Sequence, residues 1–263
     1  MTGMNNISIE ESIITALDGA DTSLLKYIPY ILQDFWELGA SAEEIIKIIK
    51  KYKRDYPDLN VLDLGSGKGA VSVKIAAELK CKCLGIDAME DFVQFSGNKA
   101  KEFSVDDICV FEKNDIRTRI QTLGKYDVII LGAIGAVFGD HYTTLSLLKP
   151  HLNIDGIIII DDAYVEDDAP KEHPGILKKC ELLRQINNAG MELIKEITID
   201  DIPGINDEYE IQFRNLEKRC MELIEKHTDD KELLQGYIEK EKEEYRLLQN
   251  EIIPTVLVMK QLE

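Results

Sequence analysis

Three acidic side chains recur at the ends of short apolar runs: Asp63 inside Val61–Leu64, Asp87 after Cys83–Ile86, and Asp115 shortly after Ile108–Phe111. Between the first two lies Gly65-Ser66-Gly67-Lys68-Gly69-Ala70, three glycines in five residues. Glycines let the backbone turn sharply and let a ligand approach without meeting a Cβ. A helix start after such a loop offers unpaired N–H groups. A phosphate-cradling loop of the GxxxxGK[ST] type is excluded, because Lys68 is followed by Gly69 and the spacing fails. A dinucleotide loop of the GxGxxA type fits the glycines. Asp63, two residues before the first glycine, would then face a pyrophosphate, which is unfavourable; it suits a ligand ammonium instead. Asp87, with Ala88 beside it, is placed to accept two ribose hydroxyls. Asn114, Asp115 and Ile116 are placed for the amino group and ring of an adenine. An ammonium, a ribose and an adenine without phosphate describe S-adenosylmethionine. The alternatives remain a buried turn-former at Asp63 and helix caps at Asp87 and Asp115.

These residues need elements to hold them. From residue 59 to about 190 the pattern alternates between strand and helix, with further apolar runs at Val128–Leu131 and Ile157–Ile160. Helices are expected over about 68–80, 90–103, 116–123, 140–149 and 173–189. The runs are nearly continuous, as strands buried on both faces require, so the sheet is parallel. Leu193–Ile199 and Thr255–Lys260 read as two closing strands. Residues 206–250 between them read as two charged helices, one striped by Leu216, Cys220, Leu223 and Ile224, packing on the sheet. Ser8–Glu11 and Ser41–Glu44 are capping boxes, and Leu24, Ile28, Ile31, Phe35 and Trp36 recur at helical spacing between them. The expected organisation is a helical lid over 1–56 and an α/β domain over 57–263, with the helical insertion at 206–250.

Val61–Gly69, Gly85-Ile86-Asp87, Asn114-Asp115, Tyr126–Ile130, Leu148-Lys149-Pro150, Gly156 and Ile157–Asp162 together resemble the successive motifs of class I S-adenosylmethionine-dependent methyltransferases. The resemblance implies a Rossmann-like, seven-stranded, mostly parallel sheet in the order 3-2-1-4-5-7-6, its last strand antiparallel. It also implies that Asp63, Gly65, Ser66, Gly67 and Gly69 hold the methionine end, Asp87 the ribose, and Asp115 with Ile116 the adenine. Gly132, at the end of the fourth strand, completes the expected cofactor set.

Less is written about the acceptor. Methyl transfer from a sulfonium depends mainly on in-line alignment, and a base matters only where the acceptor must lose a proton. The fourth strand runs into Gly132–Asp140, without the Asn/Asp-Pro-Pro-Tyr loop or Pro-Cys nucleophile of enzymes that methylate nucleic-acid bases. A net charge of −18 opposes polyanions and anionic membranes. A small-molecule acceptor is therefore expected, with no nucleic-acid or membrane partner. His141, Asp162 and Tyr164 are candidate catalytic residues. Tyr30, Gln33 and Trp36 are candidates for the acceptor pocket. Asp161 and Asp162 could ligate a metal in catechol-type enzymes, but those add a carboxylate after strand four that Gly132–Ala136 lacks, so no metal is expected. Five scattered cysteines, and an N-terminus without signal-peptide character, suggest a cytoplasmic protein. Homodimerisation is left open. An NAD-dependent oxidoreductase, a non-catalytic S-adenosylmethionine-binding module and an RNA methyltransferase are the rival readings.

Overall fold

The computed structural model describes residues 7–198, 201 and 205–262. The outermost part of the expected lid, residues 1–6, and Ile199 at the end of an expected strand lie outside them.

Ser8 caps α1 (Ile9–Ala16) as its sequence requires: its hydroxyl accepts from the Glu11 N–H at 3.0 Å, and the Glu11 carboxylate accepts from the Ser8 N–H at 2.7 Å. The following apolar stretch is not one helix. It forms a short 3₁₀ turn at Thr22–Lys26 and the four-residue α2 (Ile28–Ile31). Pro29 explains the break, because a proline is tolerated only in a helix's first turn. The second capping box is half made. Ser41 caps α3 (Ala42–Tyr52), but the Glu44 carboxylate turns to Lys47 at 2.7 Å.

The sheet then builds by alternation: β1 (Asn60–Leu64), α4 (Ala70–Leu79), β2 (Lys82–Asp87), α5 (Glu90–Glu102), β3 (Cys109–Lys113), α6 (Ile116–Arg119), β4 (Tyr126–Gly132), α7 (His141–Leu148) and β5 (Leu152–Val165). A two-residue β6 (Leu177–Lys178) precedes α8 (Lys179–Asn188) and β7 (Met191–Thr198). The chain closes with α9 (Ile205–Lys226), α10 (Lys231–Asn250) and β8 (Ile253–Gln261). The order is β3-β2-β1-β4-β5-β8-β7, with β6 paired to β5 and β8 antiparallel to both its neighbours. Apart from β6, this is the expected order. Helix α8 starts six residues later than its periodicity suggests, because a bridge between His173 and Ile176 turns the chain at Gly175 (φ +83°) and β6 follows.

Alternation along β1 sends Val61 to one face of the sheet and Leu62 and Leu64 to the other. Helices α3 and α4 cover the first face with Ile45, Ile49, Val73 and Ala76; α7 and α8 cover the second with Leu145, Leu148, Leu182 and Ile186. Both faces are thus filled before the insertion is reached. The stripes of α9 and α10 consequently do not pack on the sheet, contrary to expectation. Leu216, Cys220, Leu223, Leu234 and Tyr237 instead share a third core with Ile14, Leu24, Ile28 and Ile31 from the N-terminal segment. The two segments form one cap, also joined by polar contacts. Arg219 makes a bidentate pair with Asp34 (2.6 and 2.9 Å), and Asp230 accepts from Lys26 and the Tyr27 hydroxyl (2.7 and 2.6 Å). Among the described residues no helix is long and apolar enough to cross a membrane.

Candidate active site

A cleft of about 950 Å³, open mouth included, lies over the carboxyl ends of β1, β2, β3 and β4. That is where ligands bind in open parallel sheets. Its floor is polar. Asp63, Ser66, Asp87, Asn114, Asp115 and Arg117 reach it from successive strand ends. Its roof is apolar: Ile9, Ile13, Ala16 and Leu17 of α1 share one helix face, and Leu38 and Val137 extend it.

The floor is organised from the glycine loop outward. Gly65 and Gly67 have φ of +72° and +52°, a region that side-chain-bearing residues rarely adopt. Asp87 shapes this loop. One of its oxygens accepts from the Gly67 N–H at 2.8 Å, and the other from the Met89 N–H at 2.8 Å. Asp63 is buried and accepts from the Ser72 hydroxyl at 2.7 Å. Burial pushes both Asp63 and Asp87 up to about 6. Two desolvated carboxylates near each other favour a cationic ligand. The Ser66 hydroxyl is buried and has no hydrogen-bond partner among the described residues. An orphaned hydroxyl in a cleft wall is a group left for a ligand.

Asp115 caps α6 and is held by Arg117. Its Oδ1 accepts from the Arg117 N–H (2.9 Å) and Nε (3.0 Å), and its Oδ2 from Nη2 (2.8 Å). Burial opposes the Asp115 charge, but the Arg117 bonds and charge outweigh it and hold the carboxyl below its ordinary value. Capping and a place in the cleft therefore coexist at Asp115, whereas Asp87 holds the turn before α5, whose N-cap is Met89. Asn114 donates to Glu112 at 2.9 Å.

Ala88, Ile116, Gly132 and Trp36 also line the cleft. Gly69 does not. A Cβ there would meet Phe111 and Ser96 at 2.7 Å, so its bareness serves packing. Tyr30 and Gln33 lie off the cleft too: the Tyr30 hydroxyl donates to Glu222 at 2.6 Å, and Gln33 donates to the Tyr30 carbonyl at 2.9 Å. His141 and Asp162 come together at 3.0 Å but away from the cleft, joining the start of α7 to β5. Tyr164 is buried beside a second hollow, its hydroxyl donating to Glu196 at 2.6 Å. The period of β5 accounts for this: Asp162 and Tyr164 follow Ile158 and Ile160 onto the α7–α8 face, whereas Asp63 follows Val61 onto the other.

Sequence reading missed Lys68, Arg117 and the α1 face. Lys68 is buried; its ammonium donates to the carbonyls of Leu32 and Phe35 (2.8 Å to the latter). Burial pulls it down to about 8. Trp36 Nε1 returns a bond to the Lys68 carbonyl at 3.0 Å, so the glycine loop and the cap segment hold each other. Only the α1 face was signalled, by Ile9, Ile13, Ala16 and Leu17 recurring at helical spacing.

This architecture defines a Rossmann-like domain whose cleft presents carboxylates, not a phosphate-cradling loop, at its strand ends. The family model described as "Methyltransferase domain" matches residues 55–251. The chain belongs to that family and is an S-adenosylmethionine-dependent methyltransferase of class I. The solved S-adenosylmethionine-dependent methyltransferase from Geobacter sulfurreducens, in complex with S-adenosylhomocysteine, is 19% identical with a TM-score of 0.73, over 90% of this chain and 98% of that one. The corresponding protein from Thiobacillus denitrificans, in the same kind of complex, is 18% identical (TM-score 0.73; 90% and 98% covered). Geranyl diphosphate C-methyltransferase from Streptomyces coelicolor is 13% identical (TM-score 0.59; 84% and 76% covered). No curated protein matches the sequence.

Proposed function

We propose that this enzyme methylates a small, largely apolar molecule, which enters between the strand ends and the α1 face. The observation that carries this reading is the division of the cleft: among the described residues its ionisable side chains, Asp63, Lys68, Asp87, Asp115 and Arg117, come from the strand-end side, and the facing α1 wall is aliphatic apart from Ser12. The floor residues fit S-adenosylmethionine. Asp63 and Ser66 would hold its amino-acid end, Asp87 its ribose, and Asp115 with Ile116 its adenine. When bound, that cofactor supplies an activated methyl group. The cap wall offers no imidazole, thiol or carboxylate among the described residues, so this chain contributes alignment and exclusion of water, and the acceptor brings its own nucleophile. The Streptomyces coelicolor enzyme named above is a geranyl diphosphate C-methyltransferase, a precedent on this fold for a small acceptor that carries a hydrocarbon chain.

The charge of −18 supports a small acceptor over RNA. Calorimetric titration tests the cofactor reading: S-adenosylmethionine and S-adenosylhomocysteine should bind, and NAD should not. Screening apolar amines, thiols and prenyl compounds for S-adenosylhomocysteine release tests the acceptor. Turnover confined to charged or polymeric acceptors would refute an apolar small molecule. Cofactor binding without turnover on any acceptor would favour the binding-module reading.

A further inference from the structure

Arg117 lines the cleft, and its donors reach both the floor and the segment that leads into the roof. Its Nε and Nη2 engage the two oxygens of Asp115, with Nε sharing itself between them at 3.0 and 3.1 Å. Its third nitrogen, Nη1, donates to the Ile7 carbonyl at 3.2 Å, 110 residues away and one residue before the cap of α1. The pair is largely withdrawn from water, with side-chain exposures of 10% and 14%. A guanidinium is planar and rigid, so two donors fixed on a carboxylate aim the third. A carboxylate offers about four acceptor directions, and Arg117's backbone and side chain occupy most of those on Asp115. Asp115 is thus committed to orienting Arg117 as much as to reading a base.

We infer that Arg117 is a positioning residue that clasps the start of α1 to the adenine end of the cleft, so that cofactor binding and closure of the α1 roof are one event. The inference rests on the reading of the cleft as an S-adenosylmethionine site. A ligand that orders Asp115 orders Arg117, and with it the Ile7 carbonyl and the helix that supplies Ile9, Ile13 and Leu17 to the roof. Reciprocity follows: a chain that cannot make the clasp binds the nucleoside more weakly.

The test uses the full chain with S-adenosylhomocysteine as probe, reading affinity by calorimetry and amide protection by hydrogen exchange. In the wild type, ligand should protect both the glycine loop, residues 65–69, and α1. R117K keeps the charge and stem but lacks the fork. It should bind at least tenfold more weakly and, at saturation, protect the loop while leaving α1 as exchangeable as in the free protein. D115N combined with R117K should be no weaker than the weaker single variant within twofold, because the two act as a unit. A general loss of structure would expose α1 with or without ligand; loss of the ligand-dependent change alone is specific to the clasp. R117K binding within twofold of wild type, or with α1 fully protected, overturns the clasp and leaves the cofactor reading intact. A wild type that fails to bind S-adenosylhomocysteine overturns both.

Discussion

The sheet and the cap are held together by different physics. The sheet's two cores are apolar clusters in which Val128, Ile129, Ile130 and Leu62 are fully buried. The cap's core is threaded with ionisable groups. Asp18, just after α1, interacts with Glu244 of α10, and Glu241 of the same helix with Tyr237. Burial pushes Glu241 up to about 7; burial together with the neighbouring Asp18 pushes Glu244 up to about 8. Lys240 reaches the Gly19 carbonyl beside them at 3.3 Å. Carboxyls that keep their protons in the folded cap make its stability depend on pH. The cleft runs along the seam between the two, its floor on the strand ends and its roof on the cap.

The largest expected effect on ligand binding breaks the floor. Asp87→Ala removes the carboxylate that fixes the Gly67 and Met89 amides and the acceptor for a ribose. Affinity for S-adenosylhomocysteine should fall about 100-fold, ~2.7 kcal/mol, by calorimetry. A fall smaller than fivefold would mean that the ribose is held elsewhere. Next come the cores themselves. Ile130→Ala in β4 and Leu234→Ala in α10 each delete a buried aliphatic side chain at a cost of ~2–5 kcal/mol. The first should speed hydrogen exchange throughout the sheet, the second mainly in α9, α10 and α1. Uniform acceleration by both would erase the distinction between the regions.

Acidity separates them further. Glu241 and Glu244 keep their protons in the folded cap up to about pH 7 and 8, whereas an unfolded glutamate loses its proton near 4.5. The folded state binds more protons across that interval. Their contribution to cap stability is therefore complete below about pH 4.5 and fades as pH rises to about 8. Thermal melts between pH 5 and 9 should show this decline, and Glu244→Gln should flatten it. The floor runs the other way for its ligand. Asp63 and Asp87 ionise near 6, so affinity for a cationic amino-acid ligand should rise several-fold from pH 5 to 7. A pH-independent affinity would show that neither carboxylate meets the ligand. The smallest effect is expected for Lys68→Met, which removes the bonds to the Leu32 and Phe35 carbonyls but keeps the apolar stem. Ligand affinity should weaken two- to fivefold, with the sheet's melting behaviour unchanged.

The floor was legible in the chain because it is local. Strand, glycine loop and helix are contiguous from Val61 to Leu79, and a carboxylate at a strand end stays there once the strand forms. The same holds for Asp87 and Asp115. The candidates taken from after the fifth apolar run fared differently. Tyr164 lies within the longer β5, and strand parity turned it to the α7–α8 face.

The sequence by itself determined the alternation of elements, the parallel sheet, the glycine crook and the acidic floor, since each follows from residue periods and turn chemistry over a few positions. Only the tertiary structure decided what the apolar stripes of α9 and α10 bury themselves against, where the Lys68 ammonium finds its carbonyls, and that Arg117 reaches Ile7. A stripe's period says that it must leave water, not which surface will cover it. Contacts between residues far apart in the chain are chosen by which faces are still uncovered when the rest has packed.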